Sequence, residues 1–148
     1  MHSVFLITNW RPWALGSAVF AALTAVLAKV GVAGVDPNLA TAIRTGVILI
    51  FACLLVAVTD SARGLAQIAP RTWTFLVLSG LATGLSWLCY FRALQLGEAS
   101  QVAPVDKLSV VFAIALAALF LGEKLTWHEW IGGGLILAGA VVIALKPA

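Results

Sequence analysis

Five charged residues, Lys29, Arg44, Arg92, Asp106 and Lys107, stand inside or at the ends of long apolar runs. A charge at the centre of a bilayer costs about 2.5–3.5 kcal/mol on insertion scales, and less near a helix end. Such a residue faces a cavity or a partner, or its long chain snorkels to the interface. Snorkelling is the simpler reading for Lys29 and Arg92, which sit close to the ends of their runs. Arg44, Asp106 and Lys107 sit deeper, where a binding or pairing role is expected. Asp106 has a natural partner in Arg44 or Lys29, because an unpaired carboxylate at that depth tends to take up a proton instead. Four cations and one anion at one level would make a basic vestibule for an anionic or zwitterionic small-molecule solute.

Two stripes of helical spacing accompany these charges. Thr83, Ser86, Trp87 and Tyr90 follow an i, i+3, i+4, i+7 pattern and form a semi-polar aromatic face. They read as the wall of a solute path or as aromatic residues of the membrane interface. Asp106, Ser109, Ala113 and Ala117 share a second face, polar and then small, with Lys107 about 100° away. That face suits a cavity wall or close helix packing equally well. Together Lys29, Arg44, Thr83, Ser86, Trp87, Tyr90, Arg92, Asp106, Lys107 and Ser109 are the expected substrate path.

The elements that must position them are apolar helices. The chain has 148 residues, 62% of them hydrophobic and 10% charged. A soluble domain carries about 25% charged residues. Five runs, at approximately 13–31, 37–58, 73–96, 101–121 and 127–145, come close to the roughly 20 residues that span a 30 Å hydrocarbon core. The expectation is an all-α integral membrane protein with five transmembrane helices in one membrane domain over residues 1–148. Local signals mark the boundaries. Arg11-Pro12-Trp13 opens the first run, and Asp36-Pro37 supplies an N-cap and a first-turn proline for the second. Arg63, Gln67 and Arg71 among apolar residues suggest a short interfacial helix. Gly122 stops the fourth run, and Thr126 with Glu129 has capping-box spacing before the fifth. Gly80 and Gly84, then Gly132, Gly133, Gly134 and Gly139, are expected at close helix contacts.

Several function classes fall away. The net charge of +3 comes from basic residues scattered at helix edges, which is no nucleic-acid signature. Cys53 and Cys89 lie in apolar runs without metal or redox spacing, and His128 has no second histidine nearby. No metal and no cofactor are expected. No Gly-rich phosphate loop, GxSxG or HExxH occurs, and no nucleophile–base pair is visible, so an enzyme is not expected. The first apolar segment reads as a true span, not a cleaved signal peptide.

Alternating spans place Arg11, Arg63, Arg71 and Lys124 on one side and Lys29, Arg44, Arg92, Lys107 and Lys146 on the other. Counting only aqueous residues, the positive-inside rule puts the N-terminus in the cytoplasm. Counting all nine, the split is close to even, which permits insertion in both orientations.

The stretch from Ala103 to Leu145, APVDKLSVVFAIALAALFLGEKLTWHEWIGGGLILAGAVVIAL, resembles the EamA-type domain, the repeat unit of the drug/metabolite transporter superfamily. GLATGLSWLCYFRALQLGEAS, from Gly80 to Ser100, resembles the third span and following turn of that unit. The resemblance implies one EamA-type repeat, where typical members carry two in one chain. It implies transport of a small metabolite across a bacterial inner membrane. A single repeat is then expected to act as a half-size secondary transporter by alternating access. Its partner is expected to be a second copy in a homodimer, for which the even charge split permits an antiparallel arrangement, or another half-transporter. The alternative is a non-transporting assembly or regulatory partner of another transporter.

Overall fold

The computed structural model describes residues 9–145. Lys146, counted in the charge distribution above, lies outside the described residues. Regular structure is helical throughout the described residues. The elements are α1 (Trp10–Gly31), α2 (Pro37–Val58), a 3-10 helix (Ser61–Gln67), α3 (Pro70–Leu96), α4 (Ala99–Asp106), α5 (Leu108–Leu116), a π-helical turn (Ala117–Leu121) and α6 (Trp127–Ala144). With α4, α5 and the π turn taken as one interrupted segment, Ala99–Leu121, five helices are long and apolar enough to cross a membrane.

The caps act as their residue types dictate. Asp36 Oδ1 accepts from the backbone N–H of Asn38 at 2.9 Å and of Leu39 at 3.2 Å, and Pro37 occupies the first turn of α2. Glu129 Oε2 accepts from the Thr126 backbone N–H at 2.7 Å, which satisfies an orphan donor at the start of α6. α1 begins three residues before the expected Trp13, because Asn9 Oδ1 accepts from the Arg11 N–H at 3.0 Å. α3 likewise begins at Pro70, a turn ahead of Trp73. The expected short helix between spans two and three is the 3-10 helix. It starts after Asp60, which adopts a left-handed φ of 54° and pairs with Arg63 at 2.7 Å. Gly122 has φ +69°, open to glycine at no steric cost, and the Glu123 N–H reaches back to Ala117 O at 3.3 Å. That six-residue return closes the fourth segment.

The fourth segment departs from expectation in its middle. The sequence reading has Asp106 and Lys107 running into the apolar stretch without a turn, but the helix breaks at Lys107. Lys107 N–H bonds Pro104 O at 3.1 Å, and Val110 N–H bonds Lys107 O at 3.0 Å, both reaching three residues back. Lys107 has ψ −5°, far from the helical value near −42°. Pro104 lies inside α4 and cannot donate to the preceding turn, so the ladder is already weakened one turn before the break.

The chain divides into two compact units. One is Val30–Leu96; the other joins the described residues up to Lys29 with those from Gly97 onward. In the first, α2 packs on α3. In the second, α4 and α5 both pack on α6, and Gly133 is buried at that contact. A Cβ added at Gly133 would sit 3.5 Å from Ile114 Cδ1, ordinary van der Waals contact. At Gly80, Gly84, Gly132, Gly134 and Gly139 an added Cβ would meet nothing within 4 Å. Large apolar side chains point outward along every long helix, as Phe51 (66% exposed), Leu119 (75%) and Val142 (70%) do. An all-round apolar surface of this kind suits lipid, and the backbone polar groups are satisfied inside the helices. Hydroxyls follow the same rule. Thr41, Thr45, Thr59, Thr74 and Thr83 each donate to the carbonyl four residues earlier, at 2.7–3.2 Å.

Candidate functional site: an arginine on an aromatic face

Within the unit Val30–Leu96, α3 presents Trp87, Phe91 and Gln95 at four-residue intervals, and so on one face. Across from it, α2 carries Arg44. The Arg44 Cζ lies 4.6 Å from the Trp87 ring centroid and 5.4 Å from that of Phe91. Both distances fall inside the cation–π range, where each such contact is worth about 0.5–2 kcal/mol depending on desolvation. Phe91 is buried, while Trp87 and Arg44 are half-buried. Tyr90 is half-buried beside them, its ring centroid 6.5 Å from that of Phe91.

One turn further, Gln95 ties the connection between α1 and α2 to α3. Its Nε2 donates to Val35 O at 2.5 Å and to Val32 O at 3.4 Å. Its Oε1 accepts from Arg92 at 3.2 Å. The carboxamide thus satisfies carbonyls just beyond the end of α1, where no further helical turn supplies donors. Replacing Gln95 with leucine should strip Val35 O and Arg92 of this partner, while Val32 O keeps the Val35 N–H at 3.2 Å. The expected cost is roughly 1–3 kcal/mol, read as a lower melting temperature of the purified protein. An unchanged melt would mean that the Gln95 bonds contribute nothing.

Neither Phe91 nor Gln95 is among the residues expected from sequence. Their spacing from Trp87 was a visible signal, since i+4 and i+8 extend the same face. A buried aromatic reads first as packing, and a lone glutamine near a helix end reads as interfacial.

The acidic residues of this unit are committed elsewhere. Asp36 caps α2 and Asp60 pairs with Arg63. Within its own unit, the partner Asp106 meets is its neighbour. Asp106 Oδ2 pairs with Lys107 Nζ at 3.3 Å, with the two side chains 35% and 53% exposed. In an unbroken helix adjacent residues diverge by about 100°. The turn at Lys107 and its long flexible chain remove that separation. Lys29 donates from Nζ to Gly97 O at 2.8 Å. Thr83, Ser86 and Ser109 are exposed, and the Thr83 hydroxyl is engaged by its own helix at Ser79 O.

Within the unit Val30–Leu96, Arg44 meets Trp87 and Phe91 and Arg92 meets Gln95; within the other, Lys29 meets Gly97 and Asp106 meets Lys107 at a helix break. A guanidinium can pair two-pronged with a carboxylate or phosphate, and a planar cation can also rest on aromatic rings as Arg44 does. Five helices long and apolar enough to cross a membrane define an integral membrane protein.

The comparisons agree at that level. The chain belongs to the EamA-like transporter family, whose family model matches residues 8–145. It is 56% identical over 137 residues to a Sinorhizobium sp. protein named "Uncharacterized transporter in cobO 3'region", covering 93% of this chain and 97% of that relative. It is 31% identical over 146 residues to the "Probable terminal-alkyne amino-acid exporter" of Streptantibioticus cattleyicolor, covering 96% of this chain but 43% of that protein. It is 27% identical over 109 residues to a "Probable 4-amino-4-deoxy-L-arabinose-phosphoundecaprenol flippase subunit ArnE" of Aeromonas salmonicida, covering 65% of this chain and 93% of that one. No solved structure gives a significant match.

Proposed function

We propose that the chain is a half-size secondary transporter. It moves a small anionic or zwitterionic metabolite by alternating access, working as a dimer in a bacterial inner membrane with its N-terminus in the cytoplasm. The observation that carries the reading is the Arg44 guanidinium held against Trp87 and Phe91 where α2 packs on α3. A permanent charge at that place is costly unless it meets a counter-charge, and a passing anion supplies one. The Asp106–Lys107 pair lies at an interruption of the fourth segment. Interrupted helices with free backbone groups are how inverted-repeat transporters form binding sites within the membrane. Lys29, Arg92, Thr83, Ser86, Tyr90 and Ser109 complete the path in this proposal.

Pairing follows from size. The chain spans less than half the length of the exporter-named relative, as expected if that protein contains two such units. Gly80, Gly84, Gly132, Gly134 and Gly139, where an added Cβ would meet nothing within 4 Å, are the proposed contacts with a second copy.

The rival reading is a subunit that assists another transporter, and the word "subunit" in the name of the Aeromonas relative favours it. Reconstitution separates the two. Liposomes containing only this protein are expected to take up labelled amino acids or other small carboxylates saturably. Flux that appears only when a second membrane protein is co-reconstituted would establish the subunit reading instead.

A further inference from the structure

The Arg44 guanidinium has aromatic neighbours on one side and no acceptor for its donors among the described residues. Its Cζ lies over the Trp87 ring at 4.6 Å and over the Phe91 ring at 5.4 Å. Its N–H donors lie in the guanidinium plane and point along the edge. Among the described residues no hydrogen bond or ion pair engages that edge, and the two carboxylates of the same unit are held at the N-cap of α2 and on Arg63. The half-buried guanidinium keeps its donors accessible, so the arrangement is open to an acceptor. What completes it has two oxygens spaced to take parallel N–H bonds, as in a carboxylate or a phosphate. The rings of Trp87 and Phe91 continue from the guanidinium as an apolar surface, with Tyr90 beside Phe91.

We infer that Arg44 is the anchoring residue for the oxyanion group of an amphipathic solute, whose apolar body lies along the Trp87–Phe91 face. Depth distinguishes a solute from a lipid headgroup. Arg44 lies roughly 10 Å along the axis of α2 from Pro37 at 1.5 Å per residue. Lipid phosphates belong to the interface, outside the hydrocarbon core. A solute carboxylate is carried to that depth by the pathway itself. This step deepens the transporter reading and rests on it for the purpose of the site, but binding is measurable at equilibrium without transport.

The test uses full-length protein in a maltoside detergent, titrated with 3-phenylpropionate and with its uncharged amide. The wild type is expected to bind the carboxylate and not the amide, with a change in tryptophan fluorescence that Trp87→Phe largely removes. Arg44→Gln is expected to weaken binding by about tenfold or more, the scale of a lost charge-assisted pair. Arg44→Lys keeps the charge and loses the two-pronged edge, so it too should bind about tenfold more weakly. It also serves if Arg44→Gln fails to fold. Equal binding of acid and amide, or wild-type affinity in Arg44→Lys, overturns the inference. Arg44-dependent binding of phosphatidylglycerol that excludes 3-phenylpropionate assigns the site to a lipid phosphate and overturns it as well. Arg44-dependent binding without liposome flux would instead leave this site standing and remove the transporter reading. Flux unaffected by Arg44→Gln would do the reverse.

Discussion

If the working dimer is antiparallel, three lysines inserted after Lys146 are expected to abolish transport by the chain expressed alone. Transport should then return when the variant is co-expressed with an oppositely biased copy. Five spans is an odd number, so two units fused end to end point in opposite directions across the membrane. A single unit can rebuild such an inverted pair only by inserting both ways or by pairing with a second protein. Its nine basic residues divide four against five between the two sides, Arg11, Arg63, Arg71 and Lys124 against Lys29, Arg44, Arg92, Lys107 and Lys146. So small a bias is overwhelmed by three added charges at one end. Orientation is read by labelling single cysteines placed at positions 65 and 147 from each side of the membrane, and transport by solute flux in the same vesicles. Full activity in a uniformly oriented population would eliminate the antiparallel pair and leave a parallel dimer or a monomer.

Asp106→Asn should lower transport by about tenfold, equivalent to 1.36 kcal/mol at the barrier. The substitution keeps the size of the side chain and removes the charge facing Lys107. Exposure of these side chains inside a span is exposure to lipid or a partner and not to bulk water, so removing the Asp106 charge leaves Lys107 without its counter-charge at a place where that is costly. That cost falls on the break itself, where a lone ammonium would remain beside the start of α5. The positive end of a helix disfavours a cation. Lys107→Met in the Asp106→Asn background should recover the melting temperature, because it removes the uncompensated charge, but should not recover flux. Wild-type flux in Asp106→Asn would show that the pair has no part in transport. Recovery of flux in the double variant would show that the pair is structural alone.

The parts of the fold that were legible in sequence are those decided within a few residues of each other. Span length follows from unbroken apolar runs, and five such runs were readable directly. Asp36-Pro37 caps α2, Thr126 and Glu129 join at the start of α6, and Gly122 closes the fourth segment, each as its local chemistry dictates. The helix starts were less accurate where a cap lay outside the apolar run. Asn9 draws α1 back to Trp10 although Trp13 looked like the interface residue.

What the tertiary structure alone decided are the pairings between residues far apart in the chain. The sequence by itself determined that Arg44, Asp106 and Lys107 needed partners, because charge in an apolar run carries a desolvation cost wherever it sits. It did not determine which partners. Arg44 took the rings of Trp87 and Phe91 because α2 and α3 meet on those faces, and rotation of either helix about its axis is invisible in a pattern apolar all round. Gln95 reached Val32 and Val35 across sixty residues of sequence or more for the same reason. Asp106 stayed with Lys107 because the helix breaks between them and the apolar stretch, after a proline that signals a weakened ladder without specifying where it opens. Of the glycines expected at contacts, Gly133 found Ile114 inside the chain, while Gly80, Gly84, Gly132, Gly134 and Gly139 lie open. Spacing marks a face as small enough for close approach; only the packing of helices decides which small face is covered.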